Sequence, residues 1–354
     1  MTLRRIQVAD FRCLQSADLD LDPEFTLISG PNASGKTSLL ESIYVLGRGR
    51  SFRTRRLDNL IRTGSERFVI YGQVDLPERC TGLGVEGSAQ GIRAKLSGER
   101  TSSLAELAAV LPVQIIDPEV HRLIEEGPSR RRRFLDWGVF HVEHQFVDGW
   151  QRYQQVLRQR NAALKARQPR AAVSAWDVDF VRLGEYIHGA RARYVAQLSE
   201  SARDLADKLL GMELSLSYRS GWGPDTSLDD ALRSSWTNDQ EAGITQVGPQ
   251  RAEVGIRLNG AHVKDRISRG QQKLLAAALL VAQLNLFPKD ALARPTLLLD
   301  DPAAELDSER LFGLIREVRR QSVQLVVTSL TADFNAFGLP GRRYTVNAGG
   351  VAHI

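Results

Sequence analysis

Cysteine is scarce in this chain. Cys13 and Cys80 are the only two in 354 residues. That excludes a disulfide framework, and no cluster of thiols and imidazoles at ligand spacing suggests a structural zinc. A reducing cytoplasm is the expected setting. Long apolar runs are also missing. The longest, Leu274 to Phe287, is interrupted by Gln283 and Asn285 and is too short to span a bilayer, so it reads as a buried helix. The opening "MTLRRIQVADF" alternates like a strand and lacks the apolar stretch of a secretion signal. No repeat and no low-complexity tract is visible. No membrane association is expected.

What is present is ordinary globular material, 42% hydrophobic and 25% charged, with a formal net charge of +5. The length suggests about two domains. Residues 3 to 29 read as strands, ending in "FTLIS" directly before a glycine loop. "SLLESIYVLG" reads as a helix, and "RFVIYGQVDL", "GLGVEG", "GIRAKLSG" and "VQIID" as strands. After Pro128 the period changes to steps of three and four. It predicts two helices of about 40 residues, joined near Pro169, as an antiparallel arm about 60 Å long at ~1.5 Å per residue. Strand texture returns in "ELSLSYRSGW" and "EVGIRLNG", and the chain closes with "TLLLDD" and "VQLVVTS", apolar strands of parallel-sheet type. The expected division is a first lobe, 1–112 with 290–354, and a second lobe, 113–289. The second lobe would carry the arm, about 129–210, and a helix over 268–287.

Three elements carry chemistry. The first is "GPNASGKTS", which fits G-x-x-x-x-G-K-[ST]: Gly30, Pro31, Asn32, Ala33, Ser34, Gly35, Lys36, Thr37 and Ser38. Backbone N–H groups of such a loop wrap phosphates, Lys36 supplies positive charge to the outer ones, and the Thr37 hydroxyl can ligate Mg²⁺. The second is "TLLLDDPAAELD", where a buried strand delivers Asp300 to the metal and Asp301 to the place of a general base for water. Lys36 and Asp301 are the expected catalytic pair, and ATP with Mg²⁺ the expected ligands. The third is "SRGQQK", a helix start with Ser268, Arg269, Gly270 and Gln271, placed about 25 residues before the second element. That order is the arrangement of ABC-type ATPases, in which the signature Ser and Gly touch the nucleotide of a partner chain. Two chains sandwiching two ATP molecules are therefore expected.

The ordered set "GPNASGKTSLLESIYVLGRGRSFRT", "RRRRFLDWGVFHVE", "GPQR", "SRGQQK" and "LLLDDPAAELD" resembles the RecF family of bacterial recombination mediators, over about residues 3 to 330. "GRGRSFRT" and "RRRRFLDWG" are the parts most particular to it. The resemblance implies an α/β, two-lobed ABC-type P-loop ATPase head related to the SMC heads, with a helical lobe bearing a short antiparallel arm. It implies ATP-dependent dimerisation, slow hydrolysis and binding to duplex DNA near gaps and single-strand junctions. It also implies cooperation with RecR and RecO in loading RecA during repair and replication restart. Asp307 falls in the D-loop. The chain departs from the family at "GPQRAE", where "GPHRDD" is usual, leaving Gln250 and Ala252 at altered positions. It has Ser329 where a transporter ATPase places a switch His, and an Asp rather than a Glu as base.

Two basic clusters are candidate DNA contacts. One is Arg48, Arg50, Arg53, Arg55, Arg56 and Arg62 against the single acid Asp58. The other lies between Gln151 and Trp176, without an acid: Arg152, Arg158, Arg160, Lys165, Arg167 and Arg170, at the expected arm tip. Arg130 to Arg133 open a helix and so point in several directions; some are expected to meet acids within the chain and some to face DNA or nucleotide. Arg12 is a candidate nucleotide contact. An ATP-hydrolysing subunit of a transporter is the alternative reading. The arginine clusters, the long helical insertion and Ser329 weigh against it. A small-molecule P-loop kinase leaves the signature helix unexplained.

Overall fold

The computed structural model describes residues 2–75, 80–101, 103–143, 145–263, 267–288, 291, 293–304, 307–332 and 338–353. The chain divides into two compact units, residues 1–120 with 289–354, and residues 121–288.

The first unit opens with β1 (Thr2–Phe11), β2 (Leu14–Asp20), β3 (Phe25–Ser29) and α1 (Lys36–Arg48). It continues through β4 (Arg67–Asp75), β5 (Cys80–Ser88), β6 (Gly91–Leu96), β7 (Glu99–Thr101), α2 (Leu104–Val110) and β8 (Val113–Ile116). In the second unit come α3 (Arg122–Glu125), α4 (Pro128–Val142), α5 (Phe146–Lys165), α6 (Arg170–Ser174), α7 (Asp177–Leu210) and β9 (Leu214–Arg219). It ends with α8 (Leu228–Ser234), α9 (Trp236–Ala242), β10 (Glu253–Leu258), β11 (Ala261–His262) and α10 (Arg269–Asn285). The chain then returns to the first unit with β12 (Thr296–Leu299), α11 (Ser308–Arg319), β13 (Gln324–Ser329), β14 (Arg342–Asn347) and β15 (Gly350–His353).

Two six-stranded sheets build the first unit. One is antiparallel, in the order β2-β1-β4-β5-β6-β7. The other runs β15-β14-β3-β13-β12-β8 and is parallel except for β15. Helix α1 packs against strands of both, so its apolar residues are buried on several sides; Leu39, Leu40, Ile43, Val45 and Leu46 are each at most 1% exposed. The buried Gln324 side chain exchanges hydrogen bonds with the Leu3 backbone, 2.9 Å and 2.8 Å, which stitches the last parallel strands to β1. The boundary expected at 112/113 falls too early. Strand β8 pairs in register with β12, Val113 opposite Thr296, and so belongs to the first unit. The other expected boundary, between 289 and 290, lies outside the described residues.

The second unit is helical, with the small sheet β11-β10-β9. The arm differs from expectation. Its first helix is not one 40-residue rod; it is cut into α4 and α5 at Glu143, which takes an extended backbone (φ −111°) and whose carboxylate receives Arg193 at 2.7 Å. The 20 residues of α5 span about 30 Å and the 34 of α7 about 50 Å. Two arginines are locked inside. Arg191 forks onto Asp136 (2.8 and 3.0 Å) and donates to the Pro249 carbonyl, with its guanidinium over Trp150. Arg160 donates to Asp177 (2.9 Å), Asp239 (2.9 Å) and Thr245 (2.8 Å), tying α5 to α7 and α9. It is fully buried. This corrects the placement of Arg160 on a DNA-binding face: its charge is consumed inside the unit. Removing one partner of such a buried pair strands the other, at a cost of about 3–5 kcal/mol. Arg160→Ala is expected to lose stability on that scale in urea unfolding, while Arg158→Ala, on an exposed position of the same helix, shifts the midpoint little.

Candidate nucleotide-binding site

The loop Gly30–Gly35 joins the end of β3 to the start of α1. Gly30 (φ 150°) and Gly35 (φ 114°) hold backbone conformations that side chains rarely adopt. A Cβ on Gly30 would also run into the Val346 carbonyl oxygen, and one on Gly35 would press on Leu14 and Cys13. Gly30 N–H donates to the Ser329 carbonyl, and Gly349 N–H to that of Ser34. Pro31, Asn32 and Ala33 are exposed, and Ala33 takes φ 61°. The Ser34 hydroxyl is buried with no hydrogen-bond partner among the described residues, and Ser38 Oγ lies 3.5 Å from Cys13 Sγ.

Lys36 Nζ curls back to donate to the Gly30 and Pro31 carbonyls, 2.7 and 2.8 Å. Thr37 Oγ1 stands 3.0 Å from both carboxylate oxygens of Asp300. Parallel pairing of β3 with β13 and of β13 with β12 brings these two residues together from opposite ends of the sequence. Thr328 Oγ1 donates to Asp300 at 2.8 Å and accepts the Asp301 N–H at 2.9 Å, so one hydroxyl orients both residues. Asp301 has a positive φ of 45°. Burial pushes the Asp300 carboxyl above its ordinary range, opposed by the Thr328 and Thr37 hydroxyls. Burial also raises Asp301, opposed by the charge of Lys36.

Glu41, one turn into α1, is a buried carboxylate beside the loop that the sequence alone did not reveal. It is fully buried, and its carboxylate takes two N–H bonds from Arg12 (2.8 and 2.7 Å) and the Ser51 hydroxyl, with Arg53 at 3.6 Å. The third Arg12 nitrogen donates to the Asn59 carbonyl. Arg12 thus holds the arginine-rich segment on α1. A glutamate amid a helix reads as a solvated residue, so only its burial reveals the hub.

The residues expected to form the signature lie in the second unit. Ser268 is the N-cap of α10. Its hydroxyl accepts the Gln271 N–H, and the Gln271 side chain accepts the Ser268 N–H, a complete capping box. Gln271 is therefore engaged in its own helix cap. Ser268 and Arg269 are exposed, Gly270 is half-buried, and Arg269 meets His121 Nε2 at 3.1 Å. Asp307 caps α11 through the Arg310 N–H; its neighbours Glu305 and Leu306 lie outside the described residues.

Among the basic candidates, Arg50, Arg53, Arg55, Arg56, Arg152 and Arg158 are exposed, whereas Arg48 is half-buried against Tyr44. The run Arg130–Arg133 is largely internal. Arg130 pairs with Glu126 and Arg131 with Glu253, while Arg132 and Arg133 donate to the carbonyls of Ala252 and Ser129. The unusual Gln250 bonds the buried Tyr153 hydroxyl and the Thr245 and Val247 carbonyls, a structural role, and Ala252 is fully buried.

A phosphate loop on a parallel sheet beside an aspartate that ends a neighbouring strand, with a capped helix start ahead of that strand in the chain, defines a P-loop ATPase head of the ABC and SMC kind. The family model for the RecF/RecN/SMC N-terminal domain matches residues 2–338. The chain is 38% identical over 336 residues to the DNA replication and repair protein RecF of Aliivibrio fischeri (strain MJ11), covering 94% of both chains. It is 38% identical over 335 residues to that of Enterobacter sp. (strain 638), again covering 94% of both. A solved structure of the recombination mediator RecF with ATP superimposes with a TM-score of 0.89 at 27% identity, covering 99% of this chain and 97% of that one. An SMC head bound to the winged-helix domain of ScpA, at 16% identity and a TM-score of 0.61, shares the fold. The chain belongs to the RecF family. No helix among the described residues is long and apolar enough to cross a membrane.

Arg12→Ala would leave Glu41 buried with its main partner gone. The expected result is lower stability by about 3–5 kcal/mol and faster tryptic cleavage after Arg53, Arg55 and Arg56. Unchanged cleavage would show that another contact holds this segment.

Proposed function

We propose that this chain is an ATP-switched, DNA-binding recombination mediator that works as an ATP-induced dimer. The contact of Thr37 with Asp300 at the mouth of the phosphate loop carries the reading. The loop N–H groups from Gly30 to Ser38 cradle phosphate, and Lys36 swings from the Gly30 and Pro31 carbonyls to the outer phosphates. Mg²⁺ fits the donors present: a hydroxyl and a buried carboxylate, hard oxygens that already converge. Bound there by Thr37 and Asp300, the ion would neutralise charge developing on the phosphates. Asp301 orients the attacking water as general base.

Hydrolysis is slow on this reading, because an aspartate base is one methylene shorter than glutamate and its left-handed backbone restricts its reach. Ser268, Arg269 and Gly270 complete the nucleotide site of the partner chain, and Asp307 lies on the segment between the two sites. Duplex and gapped DNA bind through the exposed Arg50, Arg53, Arg55 and Arg56, with Arg152 and Arg158 as a second set. RecR, with RecO, and through them RecA, are the protein partners that family membership supports. The preference for a mediator over a transporter subunit also rests on Ser329, which ends β13 where a transporter places a histidine.

Two experiments test the switch and the DNA surface. With Asp301→Asn to block turnover, ATP is expected to convert the chain from monomer to dimer on gel filtration. Ser268→Asn and Ser268→Asp both preserve the helix cap, but only the aspartate places a negative charge toward the partner's phosphates. Ser268→Asp is expected to bind ATP and stay monomeric, and Ser268→Asn to dimerise. Steady-state rates of many per second in the wild type would contradict the weak base. Replacing Arg50, Arg55 and Arg56 by Ala is expected to weaken duplex binding and to lower the salt slope by up to about one unit for each phosphate no longer neutralised. An unchanged slope would remove this segment from the DNA surface.

A further inference from the structure

The second unit contains a cavity of about 740 Å³ between the start of α7 and helices α6, α8 and α9. That is within the roughly 300–1,000 Å³ of small-ligand clefts. Its lining is sorted by depth. Arg170, Arg182 and Arg233 are exposed, Trp236, Asp177 and Asp229 are half-buried, and Leu232 and the ion-paired Arg160 are buried. Val178, on the same wall, is 77% exposed, an unusual position for an aliphatic side chain. The Arg170 guanidinium lies 5.2 Å from the Trp236 ring centroid, and among the described residues it pairs with no carboxylate.

We propose that this cavity binds an unpaired nucleotide of single-stranded DNA. The chemistry matches by layer. Exposed guanidinium groups suit phosphate, and the Arg182–Asp179 and Arg233–Asp229 surface pairs are too weak in water to withhold them. Trp236, packed on the apolar cluster of Ala163, Leu164 and Val173, presents planar surface to a base when the Arg170 guanidinium turns from its ring to a phosphate, and Val178 adds apolar surface. Asp177 takes the Arg160 guanidinium through Oδ1 at 2.9 Å, which leaves Oδ2 to accept a hydrogen bond from a base N–H group, thymine N3–H included. Four arginines, Arg160, Arg170, Arg182 and Arg233, line the cavity against Asp177 and Asp229, so a basic peptide is disfavoured and an anionic ligand with an apolar, planar part fits. Arg158, Lys165 and Arg167, shortly before Arg170 in sequence, are exposed cations that can meet further phosphates. This assignment extends the DNA-binding reading above, and its gapped-duplex test rests on that reading.

The full-length chain with ATP is mixed with a single-stranded oligo-dT carrying one 5-iodouracil and irradiated. Crosslinks are expected at Trp236 or in the peptide around Arg170. In parallel, fluorescence anisotropy compares gapped with blunt duplex DNA. Val178→Glu, at an exposed position, is expected to abolish the crosslink and weaken gapped DNA by about tenfold, with blunt duplex unchanged. Arg170→Ala is expected to act in the same direction. Crosslinks confined to other regions, or equal weakening of both duplexes, would overturn the assignment. So would competition of the crosslink by an acidic peptide but not by unlabelled oligo-dT, which would assign the cavity to a protein. If the chain bound no duplex yet crosslinked oligo-dT in the cavity, the nucleotide pocket would stand and the duplex-clamp reading would fall.

Discussion

The first unit depends on the register of three parallel strands, β3, β13 and β12, and its outcome is the contact between the Thr37 hydroxyl and Asp300. The two residues are 263 positions apart. Strand β3 ends in the phosphate loop and β12 ends in the aspartate; both reach the same edge because each is parallel to β13. A slip of one residue in either pairing would turn Asp300 to the other face of the sheet. Fully apolar strands resist such slips weakly by pattern alone, since both faces are buried. The fixed points are instead polar: Gln324 on the Leu3 backbone at one end, and Thr328 between Asp300 and Asp301 at the other.

Charge is handled differently in the two units. In the first, buried Glu41 gathers Arg12, Ser51 and Arg53, so an arginine-rich surface segment is anchored on the helix that carries Lys36 and Thr37. In the second, Arg160 and Arg191 are each buried with carboxylates, and neither is offered to solvent. Buried ion pairs add little net stability, because desolvation offsets attraction, but they penalise every arrangement that separates the partners. They therefore fix which helices meet: α5 with α7 and α9 through Arg160, and α7 with α4 through Arg191.

The nucleotide loop, the aspartate strand and most strands of the first unit were legible in the sequence, because glycine spacing and apolar runs are local signals. What was not legible was set by distant contacts. The break between α4 and α5 falls at Glu143, with no proline or glycine nearby to announce it; a bond from Arg193, 50 residues later, accompanies it. Strand β8 looked like the start of the second lobe until its pairing with β12 placed it in the first. Arg160 sat in a run of cations without acids, yet its partner Asp239 lies 79 residues away. Linear charge counts cannot see such neutralisation, and the buried carboxylate of Glu41 escaped for the same reason.

The capping box on α10 sharpens what a signature serine can do. Its hydroxyl has one proton to donate and lone pairs to accept with. In this structure Ser268 Oγ accepts the Gln271 N–H, which leaves its proton for an anion brought from outside. Capping and phosphate binding therefore use different parts of the same hydroxyl and do not compete. The cap also holds the first turn formed before any partner arrives, so the bare N–H groups around Gly270 need no ordering at the moment of contact. A helix start prepared in this way favours binding energy spent on association over energy spent on folding the site. That is the property the proposed nucleotide-gated interface requires: the monomer keeps the geometry, and the phosphate would come from the other chain.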